Sequence, residues 1–320
     1  MNKVGFVFPG QGSQFVGMGR DIYESSEAGR RVFEEADRVL GFALSEICFE
    51  GPAEKLNDTQ YAQPAILTVS IAQLEALREK WNQAGVSIEP QYVAGHSLGE
   101  YTALVAAGSL GFEDALRLVW ERGRLMKQEG ERRPGGMAAV IGLPHERLED
   151  VVEQASSEGT VVIANSNSPL QTVISGEIAA LLKAMDLARQ DGAAKVARLA
   201  VSIASHSPLM QHAGTQLSQF LEGINLTDPI VPLVANITGQ ALTTAEDIKR
   251  ELSEQLCKPV AWVASVRAMM ESGVGTFIEV GPGQVLSGLI RRISDEAKVV
   301  NIDDLMSGEL PNGGPAPAAS

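Results

Sequence analysis

Short apolar runs alternate with longer amphipathic segments along most of the chain. Short runs bounded by Gly, Pro or polar residues predict buried strands. The strand-like runs span residues 4–8, 91–94, 230–236 and 276–280. Apolar positions repeated every three or four residues predict helices. The helical segments span residues 14–40, 64–81, 97–107, 113–129, 208–222, 244–256, 262–272 and 284–293. This alternation favours an α/β fold with a largely parallel sheet covered on both faces.

The pattern changes between residues 132 and 201. Strands are predicted over 137–141, 160–164, 171–175 and 194–201, and helices over 144–156 and 177–190. The order β-α-β-β-α-β is typical of a ferredoxin-like module. We therefore expect a small subdomain over 132–201, inserted into a discontinuous core of residues 1–131 and 202–305. Residues 306–320, which end in Pro, Gly, Ala and Ser, are predicted to form a disordered tail.

The composition is ordinary for a soluble globular protein. The net charge of -14 over 320 residues argues against nucleic-acid binding, so an acidic partner would need a local basic patch. Candidates for such a patch are Lys183, Arg189, Lys195 and Arg198. Two distant cysteines and the lack of a secretory or membrane-spanning segment predict a cytoplasmic protein with no disulfide framework and no membrane association. No pattern for a metal or a dinucleotide cofactor occurs, so we expect neither.

The segment Gly95-His96-Ser97-Leu98-Gly99 lies between a predicted strand and a predicted helix. Gly-x-Ser-x-Gly in this context indicates a nucleophile elbow, with Ser97 exposed at the tip of a sharp turn. The helix N-terminus behind it would stabilise developing negative charge. The alternative is a serine helix cap flanked by glycines that serve only the turn.

A serine nucleophile needs a base, and His206 is the best placed of the four histidines. It lies where an extended segment meets a helix that opens with Ser207-Pro208. We expect His96 to be structural, and His145 and His212 to lie on the surface. His206 is interpreted as the base, with a hydrogen-bonded structural histidine as the alternative. No acid that would orient it is evident, which is a gap in a plain esterase interpretation.

Arg122 occupies the apolar stripe of the helix predicted over 113–129. The stripe is formed by Ala115, Leu118, Val119, Arg122 and Met126. A buried guanidinium is unfavourable unless it is paired. The residues leave two interpretations open. Arg122 is either structural, paired with a core carboxylate or reaching solvent, or a bidentate clamp for a substrate carboxylate.

Two glycine loops follow predicted strands. Residues 10–14, with the sequence Gly-Gln-Gly-Ser-Gln, could present backbone N–H groups to an oxyanion. Residues 281–283, with the sequence Gly-Pro-Gly, are interpreted as a tight turn.

Together these features resemble the malonyl-CoA:acyl carrier protein transacylases of fatty-acid synthesis and the related acyltransferases of polyketide synthases. The resemblance runs from about residue 3 to residue 302. Its motifs are Pro9-Gly10-Gln11-Gly12-Ser13-Gln14, Gly95-His96-Ser97-Leu98-Gly99-Glu100, Arg122-Gly123, Ser205-His206 and Glu279-Val280-Gly281-Pro282-Gly283. The family fold implied is an α/β-hydrolase-like core with a ferredoxin-like insert.

The resemblance also implies roles for individual residues. Ser97 would carry the acyl group as an ester, and His206 would act as general base and then as acid. The backbone carbonyl of Gln255 would orient His206, which would account for the missing acid. Gln11 and Leu98 would supply oxyanion-hole N–H groups.

Two further roles and an activity follow from the same resemblance. Arg122 would bind the malonate carboxylate, and Asn165 would line the site. The implied reaction is transfer of malonyl from malonyl-CoA to acyl carrier protein by a monomeric enzyme. A free-standing polyketide acyltransferase is the alternative. A carrier thioester hydrolase would not need Arg122, and a non-catalytic scaffold would not need Ser97 and His206 together.

Overall fold

The computed structural model describes residues 3–307, which contain ten strands and fourteen α-helices. The strands are β1 (Lys3–Phe8), β2 (Tyr92–Gly95), β3 (Gly135–Ile141), β4 (Val161–Ser168), β5 (Gln171–Glu177), β6 (Lys195–Arg198), β7 (Leu233–Val234), β8 (Ala241–Leu242), β9 (Val274–Glu279) and β10 (Lys298–Asn301). The helices of the first half are α1 (Arg20–Ser25), α2 (Glu27–Leu40), α3 (Leu44–Glu50), α4 (Ala53–Asn57), α5 (Thr59–Gln83), α6 (Gly99–Ala106) and α7 (Phe112–Arg132). Those of the second half are α8 (His145–Ala155), α9 (Ile178–Gln190), α10 (Gln211–Leu221), α11 (Ala245–Glu254), α12 (Trp262–Glu271), α13 (Val285–Ile293) and α14 (Ile302–Ser307).

Six strands form a mostly parallel sheet in the order β10-β9-β1-β2-β7-β8. All neighbouring pairs are parallel except β7 with β8. The central strand β1 is flanked by β2 and β9, and its Phe6, Val7 and Phe8 are buried. Because parallel strands end at the same edge, the loops after β1, β2 and β9 come together there.

The other four strands form a separate antiparallel sheet in the order β4-β5-β3-β6. Successive residues of its strands face opposite sides, as pleated strands require. Ala138 belongs to an apolar cluster with Leu148 of α8 and Leu181 of α9, whereas its neighbour Met137 belongs to a second cluster with Val173. Along the chain the elements run β3-α8-β4-β5-α9-β6, so the predicted order β-α-β-β-α-β is confirmed for this part of the chain.

The two sheets are joined through the segment that precedes α12. The N–H of Ser166 donates to the carbonyl of Val260 at 2.9 Å, and the N–H of Val260 donates to the carbonyl of Ala164 at 2.8 Å. These two hydrogen bonds attach β4 to the segment between the 3₁₀ turn of residues 255–257 and α12, next to the parallel sheet. One edge of the antiparallel sheet is thereby fixed close to the site described below.

Several predictions of element boundaries were wrong. The helix predicted over 14–40 is divided into α1 and α2, because Ser26 caps α2 by accepting the N–H of Gly29, and residues 14–19 are not helical. α5 begins at Thr59 rather than at Pro64, because Asp58 caps the helix by accepting the N–H of Gln60 at 3.0 Å. The strand predicted over 230–236 is reduced to Leu233–Val234, since Pro232 has no N–H to donate to a sheet. The predicted strand over 194–201 is reduced to Lys195–Arg198.

The predicted tail over 306–320 lies outside the described residues, apart from its first two positions. Those two, Met306 and Ser307, end helix α14.

Candidate active site

Ser97 lies on a sharp turn between β2 and α6, with a backbone φ of 53°. The turn needs glycine on both sides. A Cβ on Gly95 would lie 1.9 Å from the backbone carbon of Gly99, and a Cβ on Gly99 would lie 2.0 Å from the carbonyl oxygen of Phe8. The strand, the turn and the helix therefore pack in direct backbone contact. This packing holds the serine at the carboxyl edge of the parallel sheet.

His206 meets Ser97 at this edge. Its Nε2 lies 2.8 Å from the Ser97 Oγ, and its Nδ1 lies 2.9 Å from the carbonyl oxygen of Gln255 and 3.1 Å from that of Lys258. A carbonyl can only accept, so Nδ1 carries the ring proton and donates it to the main chain. Nε2 is then left free to accept the Ser97 hydroxyl proton, which is the tautomer that a general base requires.

The surroundings keep this imidazole neutral. Burial, assisted by the positive charge of Arg122, lowers the pKa of His206 to about 3. Hydrogen bonds from its ring to the Gln255 and Lys258 carbonyls oppose this shift. His206 is therefore unprotonated near neutral pH and available to take a proton.

Arg122 is 1% exposed and points at the same serine. It donates from Nη1 to Gln63 Oε1 at 2.8 Å, and from Nη2 to Gln255 Oε1 at 3.0 Å and to Ser97 Oγ at 3.1 Å. Its guanidinium carbon lies 5.3 Å from the ring centre of Tyr101. Burial lowers the pKa of Arg122, although nearby groups oppose the shift.

None of the carboxylates within residues 3–307 forms an ion pair with Arg122. Its partners are neutral oxygens, and its Nε has no hydrogen-bond partner among the described residues. The guanidinium neither reaches solvent nor pairs with a core acid, so the two structural interpretations of Arg122 do not describe it. A buried cation with unused donor capacity is suited to an anionic ligand.

The loop after β1 packs against the serine turn. A Cβ on Gly10 would lie 2.3 Å from the carbonyl oxygen of His96, so only glycine allows this approach. Gln11 is exposed, lines the cavity and accepts the Thr59 hydroxyl at its Oε1, at 2.8 Å. Leu98 is buried and is the cap residue of α6. The two residues predicted to supply backbone N–H groups therefore belong to loops in contact.

The antiparallel sheet contributes asparagines from β4. Asn165 is 5% exposed and lines the cavity. Asn167 lines it too and lies, through Oδ1, 2.8 Å from His96 Nε2. Asn167 was not predicted as a site residue, although residues 165 and 167 of a regular strand share a face. His96 also packs edge-on against Trp262, with ring centres 5.7 Å apart, and its pKa is lowered by burial.

Both sheets enclose a cavity of about 610 Å³ at the serine. Its wall includes Ser97, Arg122, His206, Met137 and Leu289. A cavity of this size accommodates a small organic ligand.

The remaining histidines and the predicted basic residues lie elsewhere. His145 and His212 are exposed on helices, as predicted. The four basic residues predicted to form a patch are exposed on helix α9 and on strand β6 of the antiparallel sheet. They are Lys183, Arg189, Lys195 and Arg198.

Asn236 and Gln63 are site residues for which the sequence showed no signal. Asn236 accepts the Ser97 N–H at Oδ1, at 2.7 Å, and donates from Nδ2 to the carbonyl of Gly95, also at 2.7 Å. It thereby braces the turn from one side. Gln63 holds Arg122 from the other.

Comparison with known proteins gives consistent matches over nearly the whole chain. Residues 5–307 match the acyl transferase domain family. The malonyl CoA-acyl carrier protein transacylase of Bacillus subtilis (strain 168) is 44% identical over 97% of this chain and 96% of its own length. That of Escherichia coli (strain K12) is 41% identical over 97% of this chain and 99% of its own length.

Solved structures of similar proteins cover the same region. The malonyl CoA-acyl carrier protein transacylase of Coxiella burnetii superposes with a TM-score of 0.89 at 38% identity, over 94% of both chains. A malonyl-transacylase in complex with a type II polyketide synthase acyl-carrier protein gives 0.88 at 39% identity, over 93% of this chain and 95% of that one. Within residues 3–307, the helices are all too short or too polar to cross a bilayer.

Proposed function

Because the chain belongs to the acyl transferase family, we propose that it transfers a malonyl group from malonyl-CoA to the phosphopantetheine thiol of acyl carrier protein, supplying fatty-acid synthesis. The observation that carries the proposal is the position of Arg122. A buried guanidinium without a carboxylate partner donates to the Ser97 hydroxyl at 3.1 Å. An acyl group with a free carboxylate would bring the missing anion to that guanidinium.

The proposed reaction has two halves. Ser97 attacks the thioester carbonyl while His206 takes its proton at Nε2, and the released CoA thiolate receives that proton. The carrier thiol then attacks the Ser97 ester, with His206 again acting as base and returning the proton to Ser97. The carbonyl of Gln255 orients His206 in both halves, and the 2.9 Å hydrogen bond supports this role.

The remaining site residues have supporting roles. The backbone N–H groups of Gln11 and Leu98 stabilise the oxyanion of the tetrahedral intermediates, a role supported by the contact between their loops and by the start of α6 at the serine. Asn165 lines the acyl cavity.

The finer description of the fold is part of this proposal. We assign residues 1–131 and 202–305 to an α/β-hydrolase-like core and residues 132–201 to a ferredoxin-like subdomain. The mostly parallel sheet and the antiparallel order β4-β5-β3-β6 support the assignment. A cytoplasmic location is supported by the free thiols of Cys48 and Cys257.

A second candidate is a free-standing acyltransferase that serves a polyketide carrier. It is favoured by the similarity to the transacylase complexed with such a carrier. Parallel transfer assays on a fatty-acid carrier and a type II polyketide carrier separate the two, because the physiological carrier should give the higher kcat/KM.

The proposal is tested by trapping the acyl-enzyme. Wild-type protein incubated with radiolabelled malonyl-CoA should retain label after acid quenching and should lose it to added carrier. Ser97→Ala should retain none, whereas the control Ser218→Ala on α10 should behave as wild type. Label that persists on Ser97→Ala contradicts the proposed nucleophile. Label released as free malonate, rather than as malonyl carrier, identifies a hydrolase.

A further inference from the structure

The orientation of the Gln255 side chain determines what Arg122 meets. Gln255 Oε1 accepts from Arg122 Nη2 at 3.0 Å. An amide has an acceptor on one side and two donors on the other. A rotation of this amide by 180° would place its NH₂ group against the guanidinium and remove an acceptor from a buried cation.

Two acceptors hold the amide in its observed orientation. Gln255 Nε2 donates to the Ser97 carbonyl at 3.0 Å and to Glu100 Oε2. The Ser97 carbonyl belongs to the turn itself, so among the described residues Glu100 is the side chain that accepts from this NH₂ group.

Glu100 is fully buried in the first turn of α6 and contacts none of the reacting groups through its own side chain. Its Oε1 accepts the backbone N–H of Asn236 at 2.9 Å. That donor is part of the main chain and cannot rotate, so Oε1 is committed and Oε2 is left for Gln255. Glu251 is the nearby acid, and it accepts a different backbone N–H, that of Ile237 at 2.8 Å.

We propose that Glu100 is a positioning residue for acyl selectivity, which acts through Gln255 to hold Arg122 ready for a substrate carboxylate. This inference rests on the proposed function, in which Arg122 binds malonate. Glu100 does not touch the acyl group. It fixes the amide, the amide supplies the acceptor, and the acceptor holds the guanidinium beside Ser97.

The substitution Glu100→Gln tests this chain of contacts with little change of shape. The introduced amide can still accept the Asn236 N–H with its oxygen, but its NH₂ then faces the NH₂ of Gln255. The introduced amide keeps its place while its oxygen accepts the Asn236 N–H, so the Gln255 NH₂ loses its side-chain acceptor and keeps only the Ser97 carbonyl. The amide oxygen that holds Arg122 is then less firmly fixed, whereas the Ser97–His206 pair keeps its own contacts.

The measurement is the kcat/KM of acyl-enzyme formation with malonyl-CoA and with acetyl-CoA. For Glu100→Gln we expect a loss of about tenfold or more with malonyl-CoA and of no more than about threefold with acetyl-CoA, as expected for a lost charge-assisted hydrogen bond. Gln255→Met removes the amide but keeps the backbone carbonyl that holds His206, and it should give the same selective loss. Adding Glu100→Gln to Gln255→Met should change the malonyl-to-acetyl ratio by less than about twofold.

The matched control is Glu279→Gln. Like Glu100, Glu279 is a buried carboxyl. Its two oxygens accept backbone N–H groups, from Leu286 at 2.9 Å and from Ser287 at 2.7 Å. It has no contact with Gln255 or Arg122, so its substitution should leave the malonyl-to-acetyl ratio within about twofold of wild type.

Equal losses with the two substrates in Glu100→Gln, or a further selective loss in the double variant, overturn the inference. If Glu100→Gln does not fold, as judged by thermal unfolding, the inference stands or falls with the selectivity of Gln255→Met. Failure of the proposed function is a separate result, because it appears in wild-type protein as an absence of malonyl loading.

Discussion

Ser97 and His206 both have a positive φ, of 53° and 56°, and their side chains meet at 2.8 Å. Among residues 3–307 they are the two residues other than glycine in this region of backbone space. Such a conformation costs about 1–3 kcal/mol and persists where the surroundings fix it. Here Asn236 braces the Ser97 turn, and the Ser207 hydroxyl binds the Ala204 carbonyl across His206 at 2.7 Å.

The packing of the serine turn predicts a large effect of Gly99→Ala on stability. The added Cβ would lie 2.0 Å from the Phe8 carbonyl, so β1 or α6 has to move. We expect the free energy of unfolding in urea to fall by about 3 kcal/mol or more. The control is Gly288→Ala in α13, where a Cβ meets no atom within 4 Å and should add about 0.5–1 kcal/mol. A Gly99→Ala protein as stable as wild type would contradict the described turn.

The burial of Arg122 predicts a substrate-dependent effect of Arg122→Ala. Acyl-enzyme formation should fall about 100-fold or more with malonyl-CoA and much less with acetyl-CoA, because only malonyl has a carboxylate to lose a charge-assisted pair. Arg124→Ala is the control. It lies on the same helix, is half-buried and pairs with Glu121 away from the site, so both substrates should react as with wild type. Losses of equal size with both substrates would rule out the carboxylate-binding role.

The lowered pKa of His206 predicts an unusual pH profile. The base has to be neutral, and lowering its pKa moves the loss of activity to more acidic pH. The kcat/KM of acyl loading should therefore stay constant from about pH 7 to about pH 5, rather than decline around the ordinary histidine value of 6.5. The measurement uses single-turnover loading in buffers of constant ionic strength. An acid limb close to 6.5 would show that the imidazole is not held neutral by its surroundings.

Arg122 should also affect the pH profile itself. Its positive charge lowers the pKa of His206, so its removal raises that pKa. In Arg122→Ala, the acid limb of acetyl loading should shift to higher pH, whereas in Arg124→Ala it should not move. An unshifted limb would mean that burial alone sets the pKa.

Long periodic segments of the sequence predicted their elements well. The helix expected over 113–129 extends over Phe112–Arg132, and the order of elements between residues 132 and 201 was correct. Short elements such as β8 and α4 were not predicted, because two to five residues are too few to show a repeating pattern of apolar positions. β8 is held by pairing with β7, which is a contact the local pattern does not contain.

The site residues divide in the same way into those that a local sequence pattern predicted and those that it did not. Ser97, His206 and Arg122 each had a local signal, and the fold brings the histidine and the arginine within 2.8 Å and 3.1 Å of the serine hydroxyl. Asn236 has no such signal, since its bond to Ser97 spans 139 positions and depends on the packing of β7 beside β2. Glu100 adjoins the serine motif, but its partners Asn236 and Gln255 are known only from the folded chain.

The Nδ1 of His206 is held by main-chain carbonyls rather than by an acid, and this affects the charge balance of the proposed reaction. When the imidazole takes the Ser97 proton, the site holds two cations, the imidazolium and the guanidinium of Arg122, and the protein oxygens that accept their hydrogen bonds are neutral. A malonyl thioester supplies two anions at that moment, its carboxylate and the oxyanion that forms. A substrate that brings a negative charge to each of these two cations is therefore the one for which the reaction is favoured.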